Sequence, residues 1–171
     1  MILKNILTKE ECEYLHQQFL IEKNLNEDVE NHDKYGPNTY GFRPSDIFNK
    51  YMDTLKPHIQ KCIGNHYIFE NVNTYIREYK NGSSLIKHTD RLDIGITLSI
   101  NLFSNINKIW PLYEERDGKE LAYEAETGDG IIILDPHKII HWRDELICND
   151  DEYVLQFFVH WIHKKGNKTL L

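Results

Sequence analysis

Hydrophobic residues fall into two regimes along the chain. After Thr8-Lys9-Glu10-Glu11, a capping-box pattern, Cys12, Leu15, Phe19 and Leu20 recur at helical spacing and predict an amphipathic helix over roughly 9–22. A second stripe, Ile47, Tyr51, Leu55, Ile59 and Ile63, starts near Ser45 and stops at Gly64-Asn65, with Pro57 as a kink or a boundary. The stretch 23–44 between them is polar, rich in Asn and Asp, and holds Gly36-Pro37 and Arg43-Pro44, so it reads as an irregular segment. Its Tyr35, Tyr40, Phe42 and Arg43 suit a lid over a substrate mouth or an ordinary surface loop.

From Tyr67 the period changes to two. Tyr75-Ile76-Arg77-Glu78-Tyr79 is followed by Asn81-Gly82, a hairpin signal. In Asp93 to Leu102, Ile94, Ile96, Leu98, Ile100 and Leu102 share one face and Gly95, Thr97, Ser99 and Asn101 the other. Further strands are expected over 109–113, 121–125, 130–134, 139–143 and 153–162. Helices first and short strands after predict one α+β domain, with a helical part over about 1–66 and a β-sandwich or jelly-roll core over about 67–163.

Composition narrows the class of function. Net charge is −7, leaving no broad basic surface to displace counterions from a phosphate backbone, so nucleic acid is an unexpected partner. No apolar run approaches the roughly eighteen residues that a membrane helix needs, and Met1 to Asn5 lacks the regions of a secretory signal. Cys12, Cys62 and Cys148 are scattered and odd in number, which fits a reducing, cytoplasmic compartment better than a disulfide framework.

The candidate chemistry lies in His88-Thr89-Asp90 and in His141, some fifty residues later in another expected strand. Two imidazoles and one carboxylate can occupy one face of an octahedral iron and leave positions for a bidentate ligand and dioxygen. Period-two alternation would turn His88 and Asp90 to one side. A His-x-Asp match alone is weak, since nine His and twelve Asp produce roughly 0.6 such matches by chance. The competing reading is a surface turn pair plus a core histidine.

The elements around these residues resemble, in order and spacing, the prolyl 4-hydroxylase-like branch of the 2-oxoglutarate and Fe(II)-dependent oxygenases. The likeness runs through the Ile6 to Cys12 helix start, Glu78-Tyr79-Lys80-Asn81-Gly82, His88-Thr89-Asp90, Thr97 to Leu102, Gly128-Asp129-Gly130-Ile131, His141-Trp142-Arg143-Asp144 and Gln156 to Trp161. It implies a double-stranded β-helix with helices outside, and iron held by His88, Asp90 and His141. It also implies dioxygenase activity, in which 2-oxoglutarate and O2 yield succinate, carbon dioxide and hydroxylation of a peptidyl, amino-acid or other small substrate. The same context favours His141 over His137, which follows Asp135-Pro136 in a turn.

The chain departs from the family where relatives often carry a Lys or Arg after the distal histidine, because Asn149-Asp150-Asp151-Glu152 stands there. A buried cosubstrate carboxylate still needs a cation. Arg143, two residues past His141 and so on its side of the strand, is the first candidate, unless it pairs with Asp144 or Glu145 at the surface. Tyr79 matches the family's strand tyrosine, a resemblance that implies a second hydrogen bond to the same carboxylate, although Tyr75 and Tyr79 equally suit simple core packing; Arg77, on Tyr79's face, is an alternative cation. Thr97, Asn101 and Trp110 line the pocket or meet solvent, and His160 reads as a core histidine. The missing late basic residue leaves open a cupin-like metal-dependent isomerase or lyase that uses no 2-oxo acid. A binding module that lost turnover is disfavoured by the three intact ligands.

Overall fold

The computed structural model describes residues 1–25, 38–64 and 67–165; Tyr35, Gly36-Pro37 and Asn65 lie outside the described residues. The elements are β1 (Ile2–Leu3), α1 (Lys9–Leu25), β2 (Thr39–Phe42), α2 (Asp46–Asn49), α3 (Tyr51–Thr54), α4 (Lys56–Ile63), β3 (Tyr67–Tyr79) and β4 (Leu85–His88). They continue with β5 (Ile96–Ser104), β6 (Leu112–Arg116), β7 (Lys119–Tyr123), β8 (Gly130–Leu134), β9 (His141–Arg143) and β10 (Val154–Lys165). The strands form a six-stranded sheet in the order β1-β8-β5-β10-β3-β2 and a four-stranded sheet in the order β4-β9-β6-β7, antiparallel at every pairing. This is the expected jelly-roll-like α+β arrangement.

Alternation along the larger sheet divides the molecule. Leu98, Ile100, Phe157, Val159 and Trp161 point to the helices and build the main core with Leu15, Phe19 and Ile59. The opposite face, with Thr97, Ser99, Phe158 and His160, turns toward the smaller sheet and lines a cavity. Between the sheets Leu85, Leu112, Ile131 and Ile133 form a second apolar cluster. The expected polar face of β5 therefore meets the interior and not solvent: Thr97 and Ser99 are both buried.

Helix α1 begins as its capping box requires. Glu11 N–H donates to Thr8 Oγ1 at 3.2 Å and Thr8 N–H donates to Glu11 Oε2 at 2.8 Å. The second helical stripe is not one helix but three short ones, broken at Lys50 and Leu55. The last break has a local cause: Pro57 has no N–H to donate back to the Asp53 carbonyl, so the ladder of α3 cannot run on through it, whereas in the first turn of α4 that missing N–H costs nothing.

Three further expectations are corrected. Asn81-Gly82 makes a turn, with Gly82 at φ 81, but no hairpin, because β3 pairs with β10 and β2 whereas β4 pairs with β9. The turn instead carries the chain from one sheet to the other, held by Gly82 N–H donating to Leu146 O and Leu146 N–H donating to Ser83 O. Residues 39–42, read as irregular, form edge strand β2 on β3. Tyr40 and Phe42 are good strand formers concealed by the Asn, Gly and Pro around them. The N-terminal pair of β1, for which no strand was expected, joins β8.

Gly128-Asp129-Gly130 is a structural device. Asp129 Oδ2 accepts from Lys4 Nζ at 2.7 Å and Glu126 N–H at 2.9 Å, and its Oδ1 accepts from Asn5 N–H at 3.0 Å, so the N-terminal segment is tied to the head of β8. Gly128 adopts φ +90, and a Cβ there would lie 2.8 Å from the Leu7 carbonyl oxygen, a backbone atom that cannot swing away. Gly128→Ala is expected to cost about 2–3 kcal/mol of stability. Gly118→Ala, at φ +71 with nothing within 4 Å, is expected to cost about 1 kcal/mol. Denaturant titration of both variants separates backbone strain from the added clash.

Candidate active site

The smaller sheet supplies two of the three predicted metal ligands. His88 ends β4 and pairs with His141 at the start of β9, and their rings lie 4.3 Å apart between centroids. A bulge in β4 lets Leu85 and His88 face inward together although they are three residues apart. On β9, His141 and Arg143 are turned inward, while Trp142 faces away, stacked on Tyr113 with Lys87 Nζ 3.9 Å from its ring centre. Asp90 lies beyond the end of β4, so strand alternation is not what positions it. Its N–H donates to Pro136 O at 3.1 Å, and its Oδ2 accepts from Thr97 Oγ1 at 2.6 Å.

The three side chains converge, with ligand atoms all within 4.8 Å of one another. Asp90 Oδ1 is 3.5 Å from His88 Nε2 and 3.6 Å from His141 Nε2, too long for good hydrogen bonds. Each imidazole places Nδ1 at a backbone carbonyl, His88 at Ile86 O (2.8 Å) and His141 at Ile139 O (2.9 Å). A carbonyl only accepts, so Nδ1 carries the proton and Nε2 of the neutral ring offers a lone pair to the shared point. Burial lowers the pKa of His141 and favours that neutral form, with Asp90 opposing. Burial works against charge on Asp90 too, but His88, His141 and the Thr97 hydroxyl hold its carboxyl well below the usual range. Three lone pairs converging on one point, with no proton left to share, suit a divalent cation with a preference for nitrogen and oxygen ligands.

Thr97 is thus more than pocket lining, because its hydroxyl orients the carboxylate. Thr97→Val, which keeps the shape and removes the donor, is expected to weaken divalent-metal binding about tenfold or more with little change in melting temperature. Metal titration by calorimetry beside a thermal melt checks both parts.

His137 does not join the group. It sits in the turn after Asp135, with Nδ1 3.3 Å from Ile94 O. His160 lines the cavity on β10, where burial pushes its pKa down to about 4 and keeps it neutral, but its ring is not part of the converging set.

The cavity beside the triad has a volume of about 630 Å³, the size of a small-molecule site. Arg77 and Tyr79, adjacent inward positions on β3, lie on its wall, with the Arg77 guanidinium 5.1 Å from the Tyr75 ring centre and 6.0 Å from that of Tyr79. Arg143 does not reach that wall. It donates to Trp110 O and, at 3.2 Å, to Gln156 Oε1, with its guanidinium 4.9 Å over the Trp110 ring. Nor does it pair at the surface with Asp144 or Glu145: it is buried and, among the described residues, no carboxylate meets it. Burial lowers its pKa to about 10, which leaves it charged at neutral pH. Asn101 and Trp110 line a separate cavity of about 200 Å³. Sequence reasoning missed Gln156, whose Oε1 accepts from Arg143 and from Ser99 Oγ (3.1 Å) and so links the two sheets under the cavity. No sequence signal singles out that glutamine.

No helix of the described residues is long and apolar enough to cross a membrane. No protein-family model matches the chain, and no curated protein does. Solved structures do. A prolyl-4-hydroxylase from Pseudomonas putida superposes with TM-score 0.67 at 14% identity, over 94% of this chain and 90% of that one. The viral collagen prolyl hydroxylase of Paramecium Bursaria Chlorella virus-1, in complex with 2-oxoglutarate, gives TM-score 0.63 at 16% identity, over 96% of both chains. HygX from Streptomyces hygroscopicus, with nickel, 2-oxoglutarate and hygromycin B bound, gives 0.65 at 11%, over 94% and 82%. The chain therefore has the fold of the prolyl 4-hydroxylases and other 2-oxoglutarate and Fe(II)-dependent oxygenases.

Proposed function

We propose that the protein is an Fe(II)- and 2-oxoglutarate-dependent dioxygenase that hydroxylates a peptidyl, amino-acid or other small substrate. The two sheets would then be the halves of a double-stranded β-helix forming one oxygenase domain. The observation that carries this reading is the convergence of His88 Nε2, His141 Nε2 and Asp90 Oδ1 at a cavity with a buried arginine on its wall. A 2-oxo acid with a far carboxylate needs such a pairing: a metal at one end and a buried cation at the other. A cupin-like isomerase or lyase that uses no 2-oxo acid does not by itself require that pairing.

In this reading His88, Asp90 and His141 hold Fe(II), which together with 2-oxoglutarate and O2 supplies oxidative decarboxylation to succinate and hydroxylation of a C–H bond. The chain's own contribution is positioning. The backbone carbonyls of Ile86 and Ile139 fix the two imidazoles in the tautomer a metal needs, and Thr97 fixes the carboxylate. Arg77 pairs with the far carboxylate of the cosubstrate, assisted by Tyr79. Arg143 acts behind them, by holding Gln156 and the Trp110 segment in place. The viral collagen prolyl hydroxylase in complex with 2-oxoglutarate, and HygX with nickel, 2-oxoglutarate and hygromycin B bound, support a cosubstrate site in this fold.

Anaerobic titration of the Fe(II)-loaded protein with 2-oxoglutarate tests the reading. A saturable, weak visible charge-transfer band, absent from His88→Ala, is the expected result. Bound iron with no such band at any 2-oxoglutarate concentration would favour the isomerase or lyase.

A further inference from the structure

The chain has five arginines and fifteen lysines, and their distribution around the cavity is uneven. Arg43, Arg77 and Arg91 line it, Arg143 lies behind it, and no lysine of the described residues takes part. Among the described residues of the wall Asp90 is the one carboxylate, and its oxygens are committed to the two histidines and Thr97. In a protein of net charge −7, the cavity wall thus carries three arginines against one carboxylate, with Asp93 outside the wall pairing one of the three. Arginine, unlike lysine, offers a planar fork that matches the two oxygens of a carboxylate or phosphate.

These arginines lie at two levels. Arg77 is buried and, in the reading above, is used by the cosubstrate. Arg43 is exposed, directly follows β2, and has no ion pair or hydrogen bond with any described residue. Its backbone is restrained, since the preceding Phe42 pairs with Ile76 and the following Pro44 disfavours any helical turn at position 43. The wall between the two arginines is also built: Gly41, opposite Arg77 in register, lets the Tyr75 ring approach so closely that a Cβ would be 2.8 Å from Tyr75 Cε1. Arg91, next to Asp90, is oriented by Asp93 through bonds of 3.0 and 3.2 Å, which occupy Nε and Nη2.

We infer that the molecule hydroxylated here is a small oxyanion, carrying a carboxylate or a phosphate that Arg43 grips at the cavity mouth; Arg91, paired with Asp93, leaves that role to Arg43. The inference deepens the oxygenase reading and rests on it for the term hydroxylated, but the anion site stands or falls by itself. From β2, which Arg43 follows, across β3 and β10 to β5, whose Thr97 holds Asp90, is three strand spacings of about 4.8 Å, so the Arg43 backbone and the His88, Asp90, His141 cluster are separated by roughly 14 Å, less the reach of the arginine side chain. That span suits a small molecule.

The test is calorimetric titration of the Mn(II)-loaded protein, with and without saturating 2-oxoglutarate. The probes are N-acetylglycine, inorganic phosphate and the neutral N-acetylglycinamide. The expected result is one anion site that persists when 2-oxoglutarate is bound, weakened at least tenfold by Arg43→Ala, partly retained by Arg43→Lys, and indifferent to the neutral amide. Preference between N-acetylglycine and phosphate names the oxyanion. Binding that 2-oxoglutarate abolishes, binding unaffected by Arg43→Ala, equal binding of the amide, or no binding of either anion would each overturn the inference. If 2-oxoglutarate itself fails to bind while the Arg43-dependent site is present, the oxygenase reading fails and the anion site remains.

Discussion

Replacing His141 with alanine is expected to abolish stoichiometric Fe(II) binding, whereas His137→Ala leaves it intact. The difference follows from where each ring points. His141 Nδ1 is engaged by Ile139 O and its Nε2 faces Asp90, but His137 directs Nδ1 to Ile94 O from a turn outside the converging group. Groups that merely orient metal ligands are worth roughly 10–100-fold in affinity, and loss of one of three ligands exceeds that. Metal content after anaerobic loading and desalting, read beside a thermal melt that confirms folding, measures the effect. Metal lost in His137→Ala and kept in His141→Ala would reverse the assignment.

Arg77→Ala is expected to raise the dissociation constant for 2-oxoglutarate on the order of a hundredfold, about 3 kcal/mol, because it removes the cation on the cavity wall that would meet the cosubstrate's far carboxylate. Metal affinity should be unchanged, since Arg77 is on β3 and the three metal-facing groups are elsewhere. Arg143→Ala should behave differently. It opens a buried void, removes the donor to Trp110 O and leaves Gln156 Oε1 with Ser99 Oγ alone, so the main expected loss is in folding stability, by about 3 kcal/mol or more. Calorimetry with 2-oxoglutarate on the metal-loaded variants, paired with urea titration, separates binding from stability. A cosubstrate defect larger in a well-folded Arg143→Ala than in Arg77→Ala would return the anchoring role to Arg143, as the sequence alone suggested.

Much of the site is legible in the linear pattern because its elements are local. The capping box at Thr8, the alternation of β5 and the inward pairing of His141 with Arg143 each depend on neighbours a few residues away, and each is realised. Alternation fails at two places, for physical reasons. Asp90 lies past the end of its strand, held by Pro136 O and Thr97, and the β4 bulge shifts register by one residue. The Asn81-Gly82 turn was readable as a turn, but its strands find partners distant in sequence.

The amino-acid sequence by itself determined the two regimes of helix and strand and the polar face of β5, which rest on periodicity, turn chemistry and residue type. His88, Asp90 and His141 were singled out by the order and spacing of the motifs around them, through the family resemblance, and the fold brings the three side chains together. Tertiary structure alone decided which polar faces are interior, because the second sheet that covers them is built from residues far along the chain. It also set the different placement of the two arginines. Arg77 and Arg143 both point inward by alternation, and only the stacking of the sheets, with Gln156 and Trp110 interposed, places one on the cavity wall and the other behind it.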